Sequence, residues 1–107
     1  MGTVRWDAAK YGRVRGSAAA TVIGEFHASG NTTSSTSAAN LDDGAAGSGS
    51  EITFPVGIVL HLTCDELARV VIGGGTATAT SGFLLQPDVA REIEITDAGK
   101  VSVIDEA

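Results

Sequence analysis

The sequence predicts an all-β fold: a small antiparallel β-sandwich or barrel with an extended N-terminal arm and a long Ser/Gly/Thr-rich loop. Three observations carry that prediction. Turn signals recur roughly every 8–12 residues through the second half of the chain. Apolar and polar residues alternate with period two over Ile58–Cys64 and Arg91–Thr96. No apolar pattern at helical spacing persists for about ten residues anywhere.

Taken in order, residues 1–17 carry glycines at 2, 12 and 16 and alternate only at Arg13-Val14-Arg15, which reads as an extended arm or an edge strand, not a core element. Residues 18–107 then form a single β domain. Its first segment, 18–27, begins with alanines, but Thr21, Val22, Ile23 and Phe26 pull it toward strand. Residues 28–50 hold one large apolar side chain, Leu41, among Ser, Thr, Gly, Ala, Asn and Asp. Such a stretch has too few apolar anchors to order itself, so we expect another chain to order it. Ile52-Thr53-Phe54 alternates and stops at Pro55. Ile58, Leu60, Leu62 and Cys64 share one strand face, with Val59, His61, Thr63 and Asp65 on the other. Asp65-Glu66 turns the chain into the strand Leu67–Ile72, which Gly73-Gly74-Gly75 ends. Thr76–Thr80 alternates strictly with small side chains, as a further strand would. Phe83-Leu84-Leu85, Arg91–Thr96 and Val101–Ile104 follow, separated by Gln86-Pro87-Asp88 and Asp97-Ala98-Gly99-Lys100 turns.

The composition explains why partners are expected. Val, Ile, Leu and Phe number 26 of 107 residues, against 50 Ala, Gly, Ser and Thr. Ordering costs about 1–2 kcal/mol of backbone entropy per residue, and burial returns about 25 cal/mol per Å², so an isolated monomer should be marginal. The shortage is local: residues 51–104 hold 20 of the 26, while 1–17 and 28–50 hold only Val4, Val14 and Leu41. Charge is equally uneven. Residues 1–27 have four cations and two acids, net +2, and residues 28–107 have three cations and eleven acids, net −8. A basic arm docking on an acidic partner fits this distribution, whereas the acidic remainder would repel nucleic acid. No stretch reaches the roughly 18–20 apolar residues of a membrane helix, and the start of the chain has no signal-peptide pattern. The sequon-like Asn31-Thr32-Thr33 therefore reads as a polar stretch. One cysteine, Cys64, excludes an intrachain disulfide and a Cys-based zinc cluster.

Each candidate for chemistry has a plainer reading. Cys64 is in phase with Ile58, Leu60 and Leu62, so it reads as a small buried hydrophobe, with His61 on the opposite face. His27 and His61 with Asp65 or Glu66 could make a His/His/carboxylate metal site, but the spacing matches no metal motif. Gly73-Gly74-Gly75-Thr76 precedes no helix and lacks the Lys of a phosphate loop. Asp42-Asp43-Gly44 lacks the alternating acids of a calcium loop. Asp65/Glu66 and Asp105/Glu106 sit at turn and terminal positions, where acids are ordinarily solvated. We expect no catalytic residue, no metal and no cofactor.

The order Ile52-Thr53-Phe54-Pro55, Arg69-Val70-Val71-Ile72-Gly73-Gly74, Thr76-Ala77-Thr78-Ala79-Thr80-Ser81-Gly82-Phe83-Leu84-Leu85, a Pro-Asp turn, an Ile-Glu-Ile strand and a Gly-Lys hairpin into Val-Ser-Val-Ile resembles small β-domains of tailed-bacteriophage virions. Head decoration (cement) proteins and head-fibre bases are the nearest in pattern, and the resemblance covers about half the chain. It implies a structural protein on the capsid exterior, made in the host cytoplasm, clustered or trimeric with copies of itself and bound to the major capsid protein through an N-terminal arm. Neither membrane nor nucleic acid is an expected partner. The residues expected at the interface are Arg5, Trp6, Tyr11, Arg13, Arg15 and Leu41, because Arg and aromatic side chains dominate binding hot spots. A tail, connector or fibre-base component is the alternative within that setting. Outside it, the alternatives are a small ligand- or carbohydrate-binding β-module, which needs exposed aromatics, and a metal-dependent enzyme using His27 and His61.

Overall fold

The computed structural model describes residues 2–13, 21–44 and 49–106 of the chain, with backbone alone over 11–13 and 21–26. Among these residues there is no helix, and eight strands form two antiparallel four-stranded sheets. The strands are β1 (Gly2–Arg13), β2 (Thr21–Ser34), β3 (Ala39–Asn40), β4 (Val59–Cys64), β5 (Ala68–Val71), β6 (Phe83–Leu85), β7 (Arg91–Glu94) and β8 (Ser102–Asp105). One sheet has the order β2-β1-β4-β7 and the other β3-β8-β5-β6. The expected all-β sandwich is the observed fold.

Register follows from the period-two pattern. Val4 pairs with Cys64, Trp6 with Leu62 and Ala8 with Leu60, so the buried side chains of β1 and β4 fall on one face. Ile93 of β7 pairs with Leu60 and continues that face. Across the interior stand Ala68 and Val70 of β5, Leu85 of β6, and Val101 and Val103 at β8, with Phe54, Ile58 and Leu41 between the layers. Trp6 meets Phe54 edge to face at 5.2 Å between ring centroids, the arrangement aromatic quadrupoles favour.

The N-terminal segment corrects the expectation of an arm. Residues 2–13 are extended, but β1 lies between β2 and β4, and Val4, Trp6 and Ala8 are in the core. Val4 and Ala8 are small and Trp6 is single, so the inward face of this strand stood out poorly among the surrounding charges. The expected separation into an arm (1–17) and a β domain (18–107) therefore does not hold for residues 2–13. Residues 14–20 lie outside the described residues.

Over its described residues, 28–44 and 49–50, the Ser/Thr-rich stretch packs on its own chain. Residues 28–34 belong to β2, and Leu41 is fully buried. From there the chain is pinned at both sides: Leu41 N donates to Val101 O at 2.8 Å, Asp43 N to Ser50 O at 3.0 Å, and Ile52 N to Leu41 O at 3.1 Å. Asp42 is 4% exposed. Its Oδ1 accepts from the Thr32 hydroxyl at 2.7 Å and its Oδ2 from Gly49 N at 2.9 Å. The Asp42 carbonyl accepts from the Trp6 indole at 3.0 Å. Gly30 makes this contact possible, since a Cβ there would lie 2.1 Å from Asp42 O.

Thr76–Thr80 is likewise no strand of either sheet. The segment lies over the outer face of β8, where Ala77 is buried and its amide donates to Ser102 Oγ at 3.0 Å. All four residues of β8 are buried. Small residues serve close backbone approach here: a Cβ at Gly82, where φ is +108°, would stand 2.6 Å from Val70 O. The outer face of the β2-β1-β4-β7 sheet has no such cover among the described residues.

Candidate functional site

Cys64 is buried, as its phase predicts, and its thiol donates to Gln86 O at 3.4 Å. Burial first, and then the charges of Asp65 and Asp105, push its pKa above the ordinary thiol value. Such a thiol is a poor nucleophile at neutral pH. His27 tilts against the Phe54 ring at 6.3 Å, while His61 stands on the outer face of the first sheet, so the two histidines look into different surroundings. Asp65 accepts the Thr3 amide at 2.7 Å, and Glu106 lies 3.3 Å from Arg69 Nε. Asp42 and Asp43 hold the loop through Gly49 and Ser50 amides rather than facing an open cation site. Among the described residues no group of three His, Cys, Asp or Glu side chains is placed to hold a metal ion. Gly73 and Gly74, with φ of +81° and +84°, form a turn whose Gly74 amide donates to Lys100 O.

Two of the expected interface residues are corrected by burial. Trp6 is 3% exposed and Leu41 is 0% exposed, because each fills the chain's own core. Trp6 therefore offers no open ring for a sugar to stack on. Arg5 is exposed on the outer face of the first sheet. Tyr11 and Arg13 lie on β1 opposite Ile23 and Thr21. Arg15 lies outside the described residues.

The structure adds two features that residue patterns did not reveal. The first is a row across three strands. Asp7, His61 and Glu92 are cross-strand neighbours, with His61 Nδ1 3.2 Å from Asp7 Oδ1 and Nε2 3.0 Å from Glu92 Oε2. A neutral imidazole can donate to one of these carboxylates, and the protonated ring to both. The signal for it in the sequence was His61 standing out of phase with Leu60 and Leu62.

The second is a projecting ribbon. The β1–β4 ladder ends at Ala9 and Val59, where the chain turns at Val56-Gly57. The β1–β2 ladder continues to Arg13 and Thr21. Beyond Ala9 the two strands pair only with each other among the described residues. Two register shifts, between Ala8 and Ala9 and between Ala9 and Tyr11, fall where the ribbon leaves the body, as bulges that bend a strand pair do. The molecule measures 46 × 25 × 22 Å along its principal axes. Residues 10–25 contain Lys10, Arg13 and Arg15 against Glu25, net +2, so the rest of the chain carries four cations and twelve acids, net −8. Of the cations assigned to an arm, Arg5, Lys10 and Arg13 thus lie on β1, a strand rooted in the core.

No protein-family profile, curated protein or solved structure matches this chain.

Proposed function

We propose that this protein is a structural virion component that binds the outer surface of an assembled phage capsid and stabilises it, with the β1–β2 ribbon as its contact element. The observation that carries the reading is the ribbon itself: a strand pair extending past its sheet, net basic in sequence, on an otherwise strongly acidic domain. A two-stranded ribbon alone in water is marginal, and its open edges are the kind of surface that other chains complete. The order of strand and turn motifs from Ile52 to Ile104, similar to virion β-domains, supports the same assignment. On this reading the chain acts by adhesion, and its chemistry is that of charge and backbone pairing.

The test shortens the ribbon without touching the core. Residues 11–24 are replaced by Asn-Gly, a pair suited to a tight hairpin turn, which leaves Val4, Trp6 and Ala8 in place. The variant should keep the native tryptophan emission and lose occupancy on capsids of the encoding phage stripped of this protein. Undiminished occupancy by a folded, shortened variant would overturn the proposal. Copy number on the particle decides against the tail, connector or fibre-base role: decoration needs hundreds of copies, those roles about a dozen.

A further inference from the structure

We propose that Lys100 and Asn40 become joined by an intramolecular isopeptide bond, with Glu51 as the acid–base group that forms it. The three side chains meet at one atom. Lys100 Nζ donates to Glu51 Oε1 at 2.8 Å, and Asn40 Nδ2 donates to the same oxygen at 3.3 Å. Backbone bonds set this meeting: Leu41 N donates to Val101 O at 2.8 Å and Ile52 N to Leu41 O at 3.1 Å. The residues that follow Asn40, Glu51 and Lys100 are therefore fastened to one another. Leu41 and Val101 are fully buried, so the frame that carries the three side chains is part of the core. An ion pair between Lys100 and Glu51 alone would contribute little, since both side chains are nearly half exposed. What sets this pair apart is the asparagine amide held on the same carboxylate oxygen.

Exchange of an asparagine amide onto a lysine amine needs a group that takes a proton from the amine and returns it to the departing nitrogen. Glu51 Oε1 touches both nitrogens. The hydrogen bond from Lys100, and after it the one from Asn40, hold the Glu51 carboxyl below the usual carboxylate range, so it stands ionised and able to accept. Lys100 Nζ passes one proton to Glu51 Oε1 and attacks Asn40 Cγ as a neutral amine. The Nζ–Cγ bond forms and the Cγ–Nδ2 bond breaks. The amide nitrogen leaves as ammonium, carrying two protons drawn from Nζ, one of them by way of Glu51. Glu51 ends ionised as it began, nothing is oxidised or reduced, and no further reactant is consumed. Holding amine and amide on one folded frame replaces a bimolecular encounter by a local one.

The test is the intact mass of the purified full chain, followed over days because a site open to water reacts slowly. The wild-type chain should become lighter by one ammonia, and a tryptic digest should contain the peptides that hold Asn40 and Lys100 as one joined species. Lys100→Arg and Asn40→Ala should each keep the full mass. Glu51→Gln should form the bond at least about a hundredfold more slowly, the contribution of a positioned acid–base group. Tryptophan emission of each variant reports that it is folded. A folded wild-type chain that keeps its full mass overturns the inference. So does a mass loss without the joined species, which marks a cyclic imide at a single asparagine, or a Glu51→Gln variant that reacts as fast as wild type. The bond does not depend on the shell proposal, which the ribbon-shortened variant tests separately.

Discussion

Gly30→Ala tests whether the Ser/Thr-rich stretch is held by the chain's own core. Gly30 lies opposite Trp6 in the β1–β2 ladder. A Cβ added there would sit 2.1 Å from Asp42 O and 3.0 Å from Asp43 Cα, both backbone atoms that cannot rotate away. The 42–44 segment must retreat by an ångström or so, and the indole loses its 3.0 Å bond to Asp42 O. Losing that bond and leaving a buried donor unmatched costs about 1–3 kcal/mol. The sign is decisive. On an unobstructed strand, Gly→Ala stabilises by about 0.4–1 kcal/mol through the unfolded chain. Trp6 is the sole tryptophan, so its emission reports this contact directly. We expect Tm to fall by on the order of 5–20 °C, at about 4–8 °C per kcal/mol, with a red shift of native emission. A variant with unchanged emission and an unchanged or raised Tm would refute the packing argument for the whole segment.

Two further outcomes follow from the same geometry. Asp42→Ala removes the acceptors of the Thr32 hydroxyl and the Gly49 amide and should cost about 2–3 kcal/mol in denaturant unfolding; Asp42→Asn, which keeps one acceptor, should cost less. Cys64 should resist alkylation in the native state at neutral pH and react on unfolding. Because burial raises its pKa, the fold holds the protonated thiol more tightly than the unfolded chain does. Its contribution is therefore fully present below the ordinary thiol pKa and is lost as pH rises through the folded value. Cys64→Ala should flatten that alkaline decline, which a pH series of unfolding midpoints checks.

Strand positions in the second half were legible because one face of each strand is buried and the other is solvated. Leu60, Leu62 and Cys64 alternate with Val59, His61 and Thr63 in both sequence and structure, and the turns at Asp65-Glu66 and Gly73-Gly74 fall where the residues place them. The first half was harder for a physical reason. β1 buries Val4, Trp6 and Ala8, but Arg5, Asp7 and Lys10 separate them, and a strand with two small inward residues looks like a polar arm. Thr76–Thr80 misled in the opposite sense: its alternation is real, yet Ala77 is buried by lying over β8 and not by joining a ladder. The ribbon was legible as charge, through Lys10 and Arg13, and illegible as shape, since nothing local tells β1 that β4 stops at Val59.

The small residues change meaning once the structure is considered. Fifty Ala, Gly, Ser and Thr against 26 large aliphatic and Phe residues suggested a core that neighbours must complete. The core is instead completed from within, by letting backbone come close: residues 42–44 over Gly30, the 73–82 segment over β5 and β8, Ala8 and Ala68 inside the sheets. A close-packed contact of backbone on backbone brings dispersion contacts and hydrogen bonds that a larger side chain would prevent. Thr32 and Asp42 add a buried polar pair whose described bonds are short, 2.7 and 3.0 Å. This economy has a limit. It works where a second layer lies over the first, and the ribbon past Ala9 has no second layer among the described residues. Among the described residues, the stretch poor in large side chains that lacks a second layer is therefore the β1–β2 strand pair past Ala9, which carries Lys10 and Arg13 against Glu25.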